Sequence, residues 1–182
     1  MTDTPPTLAD RLLQLYPVLA DLPPTLLASV LAQETHVMQL PPGQPLFNEG
    51  QPCMGFPMVL AGEVRVARGD PQGRSLELYR VGPGELCVAS TSCLFGQSML
   101  VAHGHTVGPT ELALLSPAGF DAWTAVAPFR RFVFGLFADR LADLMALAEA
   151  VAFQRLDQRL ASALLGHGAV VRGAHQALAD EL

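Results

Sequence analysis

Two of the three cysteines lie close together in residues 82–96, GPGELCVASTSCLFG. Cys87 and Cys93 are separated by Ser90, Thr91 and Ser92, so thiols and hydroxyls share one short stretch. The three hydroxyl residues predict the cap of a short helix, which would place Cys93 near a helix N-terminus and favour its thiolate. A bend between the two cysteines would bring them within disulfide range. We therefore predict Cys87 and Cys93 as sensing thiols and residues 90–92 as the pocket around them.

A second group of residues has the side chains that hold metals. His103, His105 and Glu111, with Gly96 before them, form the pattern G-x6-H-x-H-x5-E, which resembles the first metal motif of cupins. Two histidines at i and i+2 of a strand face the same side, and a carboxylate would complete a facial triad for a divalent metal. Glycine and proline nearby instead favour a loop over residues 103–109, and the second cupin motif is absent.

The remaining candidate ligands stand alone in the sequence. Cys53 has the environment of a small buried hydrophobe, which is the common role of an unpaired cysteine. His36, His167 and His175 have no partners at metal-ligand spacing. We assign none of these four a chemical role.

Composition predicts a globular protein. Of 182 residues, 50% are hydrophobic and 15% are charged, which is enough apolar material for a buried core. The net charge of −6 has the wrong sign for binding nucleic acid through this surface. We find no apolar run of membrane-spanning length and no signal peptide at the start. Three cysteines, an odd number, do not form a secreted disulfide framework, so we expect a cytoplasmic protein.

The first two-thirds of the chain predict short helices followed by a β-structure. Leucines at helical spacing mark helices over residues 7–15 and 24–33. From His36 onward, short apolar or alternating runs are interrupted by glycine about every ten residues, which is typical of a sandwich or barrel. Strands are expected at 58–60, 63–66, 75–79 and 111–115, followed by a short helix over 118–126.

A long helix follows, from Phe129 to about Phe153. At 1.5 Å per residue, roughly 25 residues span about 37 Å, which is long for a domain of this size. Its apolar residues recur every three or four positions and form a seam that a second, parallel copy of the helix would cover. The chain is thus expected to be a homodimer. The predicted interface residues are Phe134, Phe137, Leu141, Leu144, Ala148 and Val151.

The end of the sequence predicts two more helices. One covers residues 156–165 and stops at Gly166-His167-Gly168, and the other begins near Gly173 and runs to the last residue. A helix that ends with the sequence is the expected mark of a truncated protein.

These pieces, in this order, resemble the Crp/Fnr family of bacterial transcription regulators. The resemblance rests on Pro42-Gly43 through Gly50, Leu60-Ala61-Gly62-Glu63-Val64-Arg65-Val66 and Pro83-Gly84-Glu85. It continues through residues 129–144 and the tail HQALADEL at 175–182.

The resemblance implies an α+β fold. A double-stranded β-roll of the cyclic-nucleotide-binding type, shaped like a cupin jelly roll, would carry N-terminal helices, a long dimerisation helix and the start of a winged helix-turn-helix domain. We expect boundaries at 1–127 for the sensor domain, 128–153 for the dimerisation helix and 154–182 for the start of the DNA-binding domain. The recognition helix that would enter the DNA major groove would lie beyond residue 182.

Two kinds of family ligand fit this sequence poorly. Members that bind cyclic AMP use a carboxylate for the ribose and an arginine for the phosphate, but no arginine or lysine occurs between Arg80 and Arg130. Glu85 belongs to the turn, so we do not assign it the ribose role. Members with an iron–sulfur cluster need four cysteine ligands, and this chain has three.

The sequence therefore predicts the sensor half of a Crp/Fnr-type regulator that responds to an oxidative or reactive sulfur signal at Cys87 and Cys93. It would be no enzyme and would need no cofactor. The alternatives are a sensor of the same family that binds haem, a divalent metal or a small apolar ligand, and a cupin-type metalloenzyme that uses His103, His105 and Glu111.

Overall fold

The computed structural model describes residues 5–69, 74–153 and 164–165. The chain forms two compact units, Met1–Leu136 and Phe137–Leu182. The helices are α1 (Leu8–Leu15), α2 (Pro24–Gln33), α3 (Val88–Gly96), α4 (Pro117–Thr124) and α5 (Ala127–Phe153), with a 3-10 turn at Pro17–Asp21. The strands are β1 (Thr35–Leu40), β2 (Pro45–Phe47), β3 (Phe56–Ala61), β4 (Val64–Gly69), β5 (Ser75–Val81), β6 (His103–Thr106) and β7 (Thr110–Leu115).

The N-terminal helices lie where the leucine spacing predicts them. Thr7 caps α1 through a capping box with Asp10, and Pro24 occupies the first turn of α2, where its missing N–H costs nothing. The fully buried Tyr16 donates its hydroxyl hydrogen bond to the Val59 carbonyl at 3.2 Å. Arg11 of α1 forms a bidentate ion pair with Glu111 of β7. These contacts fix the helices to the strands.

Antiparallel strands form two sheets, with the orders β1-β7-β3 and β2-β6-β4-β5. This confirms the predicted β-roll and its mixed α+β class, and strands cover all four of the predicted segments. Residues 103–109 differ from the sequence prediction, because β6 occupies the first four of them. Gly104 is compatible with this strand because a Cβ there would lie 2.6 Å from the Phe47 ring, so glycine leaves the space that the ring fills.

The interior of the roll is filled by side chains from both sheets and from the segment after β5. Val59 of β3 meets Val64 and Val66 of β4 in one cluster. Its other buried members are Phe47, Val81, Cys87, Ala89, Cys93, Leu100 and Ala102, and Leu46, Cys53 and Tyr79 pack against it. The predicted sensing thiols therefore belong to the core of the roll.

The tight turn between β3 and β4 depends on Gly62. Its φ of 83° lies in the left-handed region, and a Cβ there would lie 2.5 Å from the Pro109 carbonyl oxygen. Only glycine meets both conditions without strain.

The long helix is confirmed as α5, whose 27 residues span about 40 Å. Phe129 and Val133 are fully buried, so the first turns of α5 are part of the first compact unit. Further along, Phe134, Leu141 and Leu144 are between 52% and 60% exposed. Among the other predicted interface residues, Phe137 is half-buried and Ala148 is exposed, while the side chain of Val151 and almost all of residues 154–182 lie outside the described part of the chain.

Candidate functional site

The segment that carries the predicted thiols begins with a closed turn. The Glu85 carboxylate accepts a hydrogen bond from the Gly82 N–H at 2.8 Å, and the Glu85 N–H donates to the Gly82 carbonyl at 3.2 Å. Gly84 between them has a φ of 83°. Glu85 thus serves the turn, in agreement with the sequence analysis.

Helix α3 starts earlier than the sequence suggested. Cys87 is its N-cap residue and Val88 its first residue, so residues 90–92 lie inside the helix and do not cap it. The start is fixed from two directions. The Thr91 hydroxyl donates to the Cys87 carbonyl at 2.7 Å, and the Tyr79 hydroxyl accepts from the Ala89 N–H at 2.9 Å.

This start changes the position of Cys93. The Cys93 carbonyl accepts hydrogen bonds from the N–H groups of Gln97 and Ser98, so Cys93 belongs to the C-terminal half of α3 and not to its N-terminus. The predicted bend between Cys87 and Cys93 is also absent. Six residues of helix rise about 9 Å, which exceeds the roughly 7 Å between Cα atoms that a disulfide tolerates. While α3 is intact, the two thiols cannot form a disulfide with each other.

Both predicted sensing thiols are shielded from solvent. Cys87 is 1% exposed and Cys93 is 3% exposed. Burial raises the pKa of Cys87, although the Ser90 hydroxyl, which donates to its sulfur at 3.3 Å, acts in the opposite direction. Since the charged form is disfavoured in an apolar interior, Cys87 rests as the neutral thiol.

The predicted pocket residues separate into two environments. Ser90 and Thr91 are buried, with 2% and 1% exposure, and both are hydrogen-bonded at the start of α3. Ser92 departs from the prediction because its side chain is exposed. This follows from helical geometry, since residues 90 to 92 cover about 200° around the helix axis.

The third cysteine lies in the same place as the other two. Cys53 is on the loop between β2 and β3 and packs against the cluster that contains Cys87 and Cys93. Its thiol donates to the Gly55 carbonyl at 3.3 Å and to the Ser90 carbonyl at 3.5 Å. The sequence analysis missed this residue because 34 positions of chain, including three strands, separate it from Cys87.

The candidate metal ligands are not brought together. His103 and His105 are half-buried on β6 with ring centroids 5.4 Å apart, and the His103 ring is 3.5 Å from the Ser75 hydroxyl. Glu111 lies on β7 in the other sheet and is engaged by Arg11. Among the described residues, no three His, Cys, Asp or Glu side chains are arranged to hold a metal ion.

The arginines of the four-stranded sheet are engaged outside the thiol cluster. Arg65 of β4 pairs with Glu77 at 2.7 Å, and Arg80 of β5 pairs with Glu77 at 2.7 Å and with Glu63 at 3.0 Å. The two arginine side chains are 45% and 50% exposed. The cluster inside the roll is built from apolar side chains, thiols and the ring of Tyr79.

An aromatic contact joins the thiol helix to the long helix. The ring of Phe95, two residues after Cys93 on α3, stacks on Phe134 of α5 with centroids 5.7 Å apart and 8° between the planes. Phe95 also meets Phe120 of α4 edge to face at 5.2 Å. A displacement of α3 would therefore act directly on the first turns of α5.

Comparisons with known proteins agree with this architecture. Residues 37–125 match the family described as cyclic nucleotide-binding domain. No curated protein matches the chain. Within the described residues, we find no helix with the length and hydrophobicity of a membrane span.

Three solved structures show the likeness. A Crp/Fnr-family transcriptional regulator from Eubacterium rectale has 23% identity and a TM-score of 0.76, over 92% of this chain and 80% of that one. The c-di-GMP-responsive global regulator CLP of Xanthomonas campestris has 21% identity and a TM-score of 0.67, over 86% and 83%. The catabolite activator protein of Thermus thermophilus has 24% identity and a TM-score of 0.62, over 91% and 79%.

At these identities the likeness is one of fold. This likeness and the domain match together test the family resemblance that the sequence predicts. Residues 37–125 match the cyclic nucleotide-binding domain family, and the resemblance to Crp/Fnr regulators is confirmed at the level of the fold.

Proposed function

We propose that this chain is the sensor half of a Crp/Fnr-type DNA-binding transcription regulator whose signal is chemical modification of thiols inside the β-roll. The signal would be a hydroperoxide or a reactive sulfur species, and Cys87 and Cys93 on α3 would be the sensing thiols. A homodimer formed through α5 would carry DNA-binding domains at its C-terminal end, in the cytoplasm.

The observation that carries the proposal is the composition of the roll interior. Both thiols of α3 face the same apolar cluster, directly after the Gly82–Glu85 turn. A cyclic nucleotide would have to place a phosphate there, and a buried phosphate without a cation is poorly compensated. Arg65 and Arg80 of the four-stranded sheet are paired with Glu77 and Glu63 and are about half exposed. The interior does contain thiols, which are the groups that an oxidant or a reactive sulfur species modifies.

Burial turns a small chemical change into a structural one. Protein interiors are packed as tightly as organic crystals, so an oxygen or sulfur atom added to a fully buried thiol has no space to occupy. Overpacking of this kind costs typically about 1–3 kcal/mol. The least costly relief is a shift of α3, which carries both thiols.

A shift of α3 would act on α5. Phe95 on α3 stacks on Phe134 of α5, and α5 continues as one helix to Phe153. Movement of α3 would therefore bias the position of α5, along which the exposed apolar residues Leu141, Leu144 and Met145 lie. In a dimer joined by α5, such a bias would change the spacing of the DNA-binding domains.

The experiment is the intact mass of the purified chain, first reduced and then treated with hydrogen peroxide or, separately, with inorganic polysulfide. The proposal expects the mass to rise by an oxygen atom or to fall by two hydrogen atoms with peroxide, or to rise by whole sulfur atoms with polysulfide, and to return after thiol reduction. A variant with all three cysteines replaced by serine is the control and should show no mass change that thiol reduction reverses. Thiols that remain unmodified in a folded chain would contradict the proposal.

A further inference from the structure

The thiol cluster contains a third member that the proposed function does not use. Cys53 is the half-buried one of the three cysteines, whereas Cys87 and Cys93 are buried. Its neighbour Met54 is 75% exposed, so the loop around Cys53 faces solvent. A reactant that arrives from solution meets Cys53 first.

The contacts place Cys53 next to the part of α3 that carries Cys93. The Cys53 thiol lies 3.5 Å from the Ser90 carbonyl oxygen and packs against the cluster that contains Cys93. Residues three apart lie on the same face of a helix, so Cys93 lies about one turn further along the face of α3 that carries Ser90. Cys87 precedes Ser90 by three residues and is the next thiol along that face.

Electrostatics agree with this neighbourhood. The pKa of Cys53 is raised to about 11, chiefly by burial and also by the neighbouring thiols Cys93 and Cys87, while a backbone hydrogen bond at Gly55 acts in the opposite direction. The packing agrees, because Cys53 lies against the apolar cluster that contains Cys93 and Cys87. Cys53 therefore rests as the neutral thiol at neutral pH.

We propose that Cys53 is the thiol that reacts with the signal and that Cys93 is its partner in a disulfide, which would tie the β2–β3 loop to α3. This inference rests on the proposed function and names the pair within it. It replaces a disulfide between Cys87 and Cys93, which the helical conformation of α3 separates too widely.

The chemistry with a hydroperoxide balances within this pair. The Cys53 sulfur, after loss of its proton, attacks one peroxide oxygen; the O–O bond breaks with both electrons, and the leaving alkoxide or hydroxide takes up a proton as alcohol or water. The resulting sulfenic acid is attacked by the Cys93 sulfur, which forms the S–S bond and releases the sulfenic oxygen as water. Two thiols are oxidised to one disulfide, and one hydroperoxide is reduced.

Trypsin, which cleaves after arginine, distinguishes the possible disulfides. Cys53 lies in the tryptic peptide 12–65, whereas Cys87 and Cys93 share the peptide 81–130. A disulfide that includes Cys53 joins the two peptides, whereas one between Cys87 and Cys93 stays within 81–130. Fragment ions of the joined peptides then assign the partner to Cys87 or Cys93. The chain is oxidised with hydrogen peroxide, alkylated and digested without reduction, as wild type, C53S and C87S.

The inference expects the two peptides to be joined through Cys93 in wild type and in C87S, and this product to be lost in C53S. C53S changes a half-buried side chain by one atom, so circular dichroism should confirm that it folds. Joining through Cys87, or a disulfide confined to 81–130, would overturn the inference while the proposed function survives. Complete absence of thiol oxidation in the folded wild type would overturn both.

Discussion

At the scale of residues, the site is defined by how the roll surrounds its thiols. Cys87 is sealed inside and Cys53 lies at the margin, and burial raises the pKa of both thiols. A sensor built in this way is inert at neutral pH towards weak electrophiles, because only the thiolate is a good nucleophile. It responds when a strong oxidant traps the small fraction of thiolate.

This state predicts a steep pH dependence for Cys53. With a pKa of about 11, its thiolate fraction rises about tenfold for each pH unit between pH 7 and 10. The groups that face it are the thiols of Cys93 and Cys87 and the backbone at Gly55, and the pKa of the buried Cys87 is itself raised. We therefore expect the rate of iodoacetamide alkylation, read on peptide 12–65, to climb throughout this interval.

The control is the same chain in denaturant, where the rate should level off near pH 9, close to the ordinary cysteine pKa. A plateau near pH 9 in the folded protein would show that Cys53 is not buried against the other thiols.

The raised pKa of Cys53 also makes the stability of the fold depend on pH. Since the folded state holds the proton more tightly, its stabilisation is complete below pH 9 and is lost as pH rises towards 11.

The sequence could identify the segment that carries two of the clustered thiols but not the third thiol. Cys87 and Cys93 are close along the chain, so their common location is visible in the sequence. The position of Cys53 depends on how the β2–β3 loop crosses α3, a long-range contact that no local spacing encodes.

At the scale of elements, the proposed function makes helix α3 the link between thiol modification and the position of α5. Its start is set by Tyr79 from β5 and by Thr91, and its far end carries Phe95 onto α5. The predicted cap at residues 90–92 was wrong for a related reason. Serine and threonine are favoured at caps, but here the Tyr79 hydroxyl, which comes from another strand, satisfies the first turn, and the helix begins at Val88.

The Phe95–Phe134 stack predicts a measurable coupling between α3 and α5. In a double-mutant cycle of F95L and F134L, we expect the two losses in free energy of unfolding to be non-additive by about 0.5–1.5 kcal/mol, the usual worth of an aromatic pair. Urea unfolding followed by circular dichroism measures each corner of the cycle. Strictly additive losses would show that the Phe95–Phe134 stack does not couple α3 to α5 energetically.

The other elements were predictable because local signals agree with tertiary ones. The leucine spacing of α1 and α2, the glycine-punctuated strands and the long apolar period of α5 all match the structure. Strands β1 and β2 were not among the strands predicted from the sequence, and β6 lies where a loop was predicted. Gly104 favours a loop by composition, but it is required in the strand by the Phe47 ring, which only the three-dimensional packing reveals.

At the scale of the whole molecule, α5 carries exposed apolar side chains that the predicted homodimer would cover. Leu141, Leu144 and Met145 are 60%, 52% and 65% exposed along one helix. We expect L141D/L144D to shift the protein from dimer to monomer in light scattering, because the substitution buries two carboxylates in the proposed interface.

The matched control is A142D/A146D. These alanines are also exposed on α5 but lie away from the predicted seam at helical spacing, so this variant should remain dimeric. A dimer that survives L141D/L144D would place the interface elsewhere.

The central claim is that modification of the thiols moves α3 and, through it, α5. Peptide-resolved hydrogen exchange of the reduced chain and the peroxide-oxidised chain tests this most directly, with C53S carried through the same oxidation as the control. The account predicts that oxidation changes the exchange of amides in α3 and in α5, that reduction restores it, and that C53S shows neither change. Oxidised thiols with unchanged exchange in α5 would contradict it.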